Sequence, residues 1–96
     1  MYWELSEALD YALRKLREAP IPADSNFLVA RNEAIETIDA LLRLEVDAPN
    51  AYWALVKKKV GEAVTSLIFH SGPEHDDLIY DIRGGFLDAG VDLAER

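Results

Sequence analysis

Residues 77–95 read DLIYDIRGGFLDAGVDLAE, and their spacing decides how the chain folds. Asp77, Asp81, Asp88, Asp92 and Glu95 recur at steps of four, seven, four and three. With a helical advance of about 100° per residue, the five carboxylates fall within about 60° of arc. Ile79, Ile82, Phe86, Ala89 and Leu93 take the opposite side of the same wheel. The spacing predicts one helix over residues 73–96 with an apolar stripe and an acidic stripe. Gly84-Gly85 interrupts it. Two glycines inside a helix cost about 2 kcal/mol relative to alanine, so a kink or a break is expected there. Both stripes nevertheless stay in phase across the pair. Lacking a side chain, Gly84 leaves a gap in the acidic stripe where another backbone could approach.

Three further helices are read upstream. In the first, Tyr2, Leu5, Leu9, Ala12, Leu13 and Leu16 form one stripe. Its acids come early and its bases late, which complements the helix dipole. Pro20 and Pro22 end it, since neither donates a backbone hydrogen bond. The second starts at Asp24 or Ser25 as N-cap and buries Phe27, Ala34, Ile35, Ile38, Leu41 and Leu42. Arg31 falls inside that apolar stripe, to snorkel from the bundle end or to pair with an acid of the last helix. Pro49 opens the third, whose stripe is Trp53, Val56, Val60, Ala63, Val64, Leu67 and Ile68. Ser71-Gly72-Pro73-Glu74 separates the third helix from the last.

No segment alternates with a period of two long enough to require a strand. Short connections between successive helices favour antiparallel neighbours. The fold expected is therefore all-α: a compact antiparallel four-helix bundle, in one domain over residues 1–96.

Composition narrows the function. The 96 residues carry 18 acids against 10 bases, a net charge of −8. Residues 71–96 hold seven of the acids and two of the bases. A phosphate backbone wants a basic surface, so direct nucleic-acid binding is not expected, and anionic membranes are disfavoured for the same reason. There is no cysteine, which excludes disulfides, thiolate zinc sites and cysteine nucleophiles. Apolar runs are too short to span a bilayer, and the start lacks the features of a signal peptide, so a cytoplasmic location is expected.

The acidic stripe admits three readings: a solvated face, a docking face for a basic protein, and self-association through Lys57, Lys58 and Lys59 of the same or a neighbouring chain. The docking reading makes Asp77, Tyr80, Asp81, Asp88, Asp92 and Glu95 the partner-binding residues, with no cofactor. Off-stripe Trp3, Tyr11, Phe69 and Leu55 are candidates for an apolar contact patch beside it. The segment Asp77-Leu78-Ile79-Tyr80 resembles the Asp-Leu-Ile-Tyr start of a segment in the nuclease-colicin immunity proteins, small acidic helical inhibitors. That likeness covers four residues and ends at Asp81 and Ile82. It implies the kind of task an acidic bundle with an exposed tyrosine performs.

Two other constellations carry chemistry. Glu33 with Glu36, and Glu74 with Asp77, form two E-x-x-E/D pairs, and such pairs facing each other across a bundle hold Mg²⁺ through carboxylates. The spacing resembles that of the all-helical nucleoside triphosphate pyrophosphatases, and the resemblance would imply a Mg²⁺-dependent nucleotide hydrolase. Glu33 and Glu36 lie opposite the core stripe, however, so they are expected to face solvent. His70 and His75 flank the Ser71–Glu74 turn beside Asp76 and Asp77, a mixture suited to a transition metal. Against that, a histidine near a helix C-terminus and acids in a first turn each complement a dipole. No serine–histidine–acid arrangement and no Gly-rich phosphate loop is present. The leading expectation is a non-enzymatic binding module of immunity, antitoxin, adaptor or phage-inhibitor type. A structural subunit of a homo-oligomer is the remaining alternative.

Overall fold

The computed structural model describes residues 5–44 and 49–91. Four helices result: α1 (Leu5–Glu18), α2 (Asn26–Arg43), α3 (Pro49–His70) and α4 (Asp76–Asp88), with a single 3₁₀ turn, Pro73–His75, leading into α4. Among the described residues there is no strand. The radius of gyration is 12.8 Å, close to the roughly 12.5 Å expected for a compact chain of this length.

Helix boundaries follow local chemistry. Glu7 sits in the first turn of α1 and Lys15 and Arg17 in the last. Ser25 caps α2, its Oγ accepting from the Phe27 N–H at 3.1 Å. Pro49 begins α3, where its missing N–H is harmless, and Pro73 begins the 3₁₀ turn rather than α4 itself.

Three contacts that join one helix end to another's start give the directions, and a fourth ties α1 to the middle of α4. Late α1 meets early α2, where Arg31 Nη1 donates to the Leu16 carbonyl at 3.0 Å. The end of α2 meets the start of α3, where the Tyr52 hydroxyl donates to the Leu41 carbonyl at 2.8 Å. The start of α3 meets the end of α4, where the Trp53 ring lies against Gly90. Late α1 also meets α4, where Lys15 Nζ is 3.5 Å from an Asp81 carboxylate oxygen. Each pair is antiparallel, and the order α1–α2–α3–α4 closes into a ring. The ring is uneven. Contacts are dense on the α1–α2, α2–α3 and α1–α4 sides, while α3 and α4 touch little. At 1.5 Å per residue α3 is about 33 Å long and α4 about 20 Å, so α3 overhangs its last neighbour.

The core is aliphatic. Leu9, Leu16, Ile38, Val56, Val60, Leu67 and Ile82 are buried around Phe27 and Phe86. Leu55 departs from its expected outward position and packs against this core. On the wheel of α3 it lies on the α2 flank, so α3 serves two neighbours with a broad apolar arc. Among the described residues Arg31 pairs with no acid. Its guanidinium instead caps the open carbonyl end of α1.

The last helix corrects the expected span of 73–96. Gly84 and Gly85 do not break it; α4 runs through both. Gly85 is buried next to Asp81 on the wheel of α4, and buried Ala8 and Ala12 fall next to Lys15 on the wheel of α1, so small residues occupy the flanks that the Lys15–Asp81 pair joins. The stop comes at Gly90, whose φ of 90° suits glycine. The Gly90 N–H bonds the Leu87 carbonyl at 2.9 Å and the Val91 N–H bonds the Phe86 carbonyl at 2.8 Å. That is a Schellman termination, closed by the buried pair Phe86 and Val91. Asp92, Leu93 and Glu95 lie outside the described residues, as do Tyr2 and Trp3.

Candidate functional site: the acidic face of α1 and α4

Three carboxylates of the stripe are on α4. Asp77 and Asp88 are exposed and Asp81 is half-buried. Their positions fall within about 40° of arc. Tyr80 stands beside them, about 60° from Asp77 on the wheel and 78% exposed. Gly84 lies between, and a Cβ placed on it would meet nothing within 4 Å. The surface here is a rigid helix with an aromatic ridge, a bare stretch of backbone and a row of acids.

Across the α1–α4 contact, α1 adds Tyr11, with the Arg14 guanidinium 5.8 Å and the Lys15 ammonium 5.5 Å from its ring centroid. Such cation–π contacts hold both long side chains over the ring rather than over the neighbouring acids. Lys15 still reaches Asp81, but both groups are more than a third exposed, so the pair is worth at most about 1 kcal/mol. Among the described residues Asp77 and Asp88 form no ion pair. The first turn of α4 offsets part of the charge of Asp77 through the helix dipole, while Asp88, the last residue of the helix, has no such offset.

The E-x-x-E/D pairs are not brought together. Glu33 and Glu36 are exposed on α2, whereas Glu74 is in the 3₁₀ turn and Asp77 on α4, and the backbones of α2 and α4 sit diagonally in the ring with no close approach. Glu33 borders a shallow groove of about 220 Å³ between α2 and α3, where Glu62 and Lys59 face it over Ala30, Ala34 and Ala63. Among the described residues no three histidine or carboxylate side chains converge as a metal site. The histidines are used differently. His75 is buried and stacks on Phe27, ring centroids 4.0 Å apart and planes 8° from parallel. His70 is exposed, edge-on to Phe69 at 5.1 Å. His75 fastens the entry of α4 to the first turn of α2.

One shifted acidity is resolved. Burial pushes the Tyr52 phenol above its ordinary value of 10.0. Its proton is in use, donated to Leu41, at the opposite end of the bundle from His75.

Sequence reasoning overlooked the α3–α4 side. Trp53 and Ile68 were expected within the core stripe of α3, yet they are 39% and 44% exposed. Both stand at one edge of that stripe, and a long helix beside a short one was the signal that its edge would go uncovered. No helix among the described residues is long and apolar enough to cross a membrane. Comparison of the chain with protein-family models, curated proteins and solved structures gives no match. The fold and this surface together define the chain as an all-α four-helix bundle with an acidic, tyrosine-bearing outer helix.

Proposed function

We propose that the chain is a non-enzymatic, regulatory protein-binding module that engages a basic protein surface through the outer face of α4. The observation that supports this most is the coincidence, on one face of one helix, of Tyr80 standing clear of the surface with Asp77 and Asp88, which have no ion-pair partner among the described residues. Charge of one sign on a rigid helix raises association rates with an oppositely charged partner and rejects like-charged ones. Tyrosine supplies anchoring area at little entropic cost. A symmetric contact between two copies through this face would set acid against acid, which favours a foreign partner over self-association here.

The test is capture from the native host's lysate with the wild-type chain and with an Asp77→Asn, Asp81→Asn, Asp88→Asn variant of equal helicity. The reading expects a basic protein retained by the wild type and lost by the variant, with Tyr80→Ala weakening the isolated complex by about 2 kcal/mol. Equal retention by both chains would return the stripe to a solvated face.

A further inference from the structure

A second surface lies on the loosely closed side of the ring, and it differs from the first in charge. Starting from Trp53, which marks where α3 meets α4, the residues at helical steps of three and four are Lys57, Gly61, Val64 and Ile68. Starting from Gly90 on α4, the corresponding steps reach Leu87, Arg83, Tyr80 and Asp76. These two rows line the seam between the helices. Val64 is buried, whereas Trp53, Ile68, Leu87 and Tyr80 are exposed, Leu87 by 60%. No Cβ contact fills the space in front of Gly61. Apolar side chains thus stand along both rims of a seam that the two helices do not close.

The cations decide what fits. Lys57 is exposed and Arg83 half-buried, one on each row, and neither forms an ion pair among the described residues. In a chain of net charge −8 this is a local reversal of sign. Asp76 is the one acid in the two rows, near the opposite end of α4 from Gly90.

We propose that the α3–α4 seam is a docking groove for an amphipathic helix of a partner protein, apolar along one stripe and acidic along its flanks. Its apolar stripe covers Trp53, Ile68 and Leu87, and its carboxylates meet Lys57 and Arg83. This is the helix-in-groove mode, read by anchors at steps of three and four. A second copy fits worse, because like seams laid together by two-fold symmetry would crowd Lys57 and Arg83 of one chain against those of the other. The seam is distinct from the Asp77–Asp81–Asp88 stripe, and only Tyr80, on the ridge between them, borders both.

The probe is a fluorescent synthetic helix of roughly 18 residues, with leucine and alanine at positions i, i+3, i+4 and i+7 and glutamate elsewhere. Binding to the full chain is followed by anisotropy. Affinity is expected to fall at least about tenfold on Lys57→Glu with Arg83→Glu, and by a similar factor on Ile68→Ser with Leu87→Ser. The second variant removes only exposed side chains and guards against misreading a folding defect. The Asp77→Asn, Asp81→Asn, Asp88→Asn variant should bind the probe within about twofold of wild type, which separates this groove from the acidic face. Absence of binding at about 1 mM peptide overturns the proposal. So does an affinity indifferent to both seam variants. A dimer seen by sedimentation equilibrium and dissolved by Ile68→Ser with Leu87→Ser would also overturn it, assigning the seam to a second copy.

Discussion

The two flanks of α4 are built in contrasting ways. Toward α1 the helix offers buried Gly85 and Ile82, and α1 presents Ala8, Leu9 and Ala12, all buried. Toward α3 it offers Arg83 and Leu87, and the opposing Trp53 and Ile68 remain partly in solvent. The first flank is held by small residues that let backbones approach. The second brings together large apolar side chains and cations that their neighbours cover only in part. Close packing on one side fixes α4 rigidly enough that its outer face and its loose flank can both serve as surfaces. Close packing therefore lies on the α1 side, and the faces that α1 leaves free are the ones proposed above for recognition.

The largest effect should come from emptying the shared core. Phe86→Ala is expected to cost about 3–5 kcal/mol in urea denaturation, while Ile68→Ser on the loose side should stay within about 0.5 kcal/mol. Comparable losses at both positions would break the contrast. Next come the adjacent glycines. Gly85→Leu forces a side chain into the α1 contact and should destabilise by about 1–3 kcal/mol. Gly84→Ala, with open space ahead of it, should stabilise by about 0.5–1 kcal/mol through helix propensity. Thermal melts of both variants decide whether the two glycines really divide the labour.

Tyr52 sharpens the picture at the other end of the bundle. Its folded acidity lies above the free value of 10.0, so the unfolded chain releases the phenolic proton first as pH rises. The stabilisation is complete below pH 10.0 and declines as pH climbs through the higher folded value. Tyr52→Phe should lose about 0.5–1.5 kcal/mol near neutrality by leaving the Leu41 carbonyl without that donor, and should flatten the alkaline decline. Denaturation at pH 8 and above 10 measures both. The smallest effect is that of the exposed Lys15–Asp81 pair: a double-mutant cycle should return less than about 1 kcal/mol, its role being directional more than energetic.

Much of this architecture was legible in the sequence. Ser25, one of two N-cap candidates, Pro49 and the Pro20/Pro22 pair mark their helix ends by local chemistry. Of the α1 and α2 stripes Leu9, Ala12, Leu13, Leu16, Phe27, Ala34, Ile38 and Leu41 are buried and Leu5, Ile35 and Leu42 partly so, while buried Ala8 and Ala30 fall outside the stripes as read. The end of α4 was misjudged because Gly84-Gly85 drew attention as the weak point. A glycine in mid-helix only costs propensity, whereas Gly90 is followed by Val91, whose burial against Phe86 closes a terminating motif. Periodicity also cannot say which neighbour covers which edge of a stripe. Leu55 was placed outside yet packs inward, and Trp53 and Ile68 were placed inside yet emerge on the α3–α4 side. Arg31 shows a further limit, since its partner is a backbone carbonyl at a helix end, which no pattern of side chains announces.

The central claim is that the outer face of α4 is a protein-docking face. Hydrogen exchange by mass spectrometry on the chain, free and bound to the basic partner it captures, tests this most directly. The account predicts added protection concentrated in residues 76–88, reduced when Asp77, Asp81 and Asp88 are changed to asparagine. Protection confined to α2 and the α2–α3 groove, with α4 exchanging as in the free chain, would contradict it.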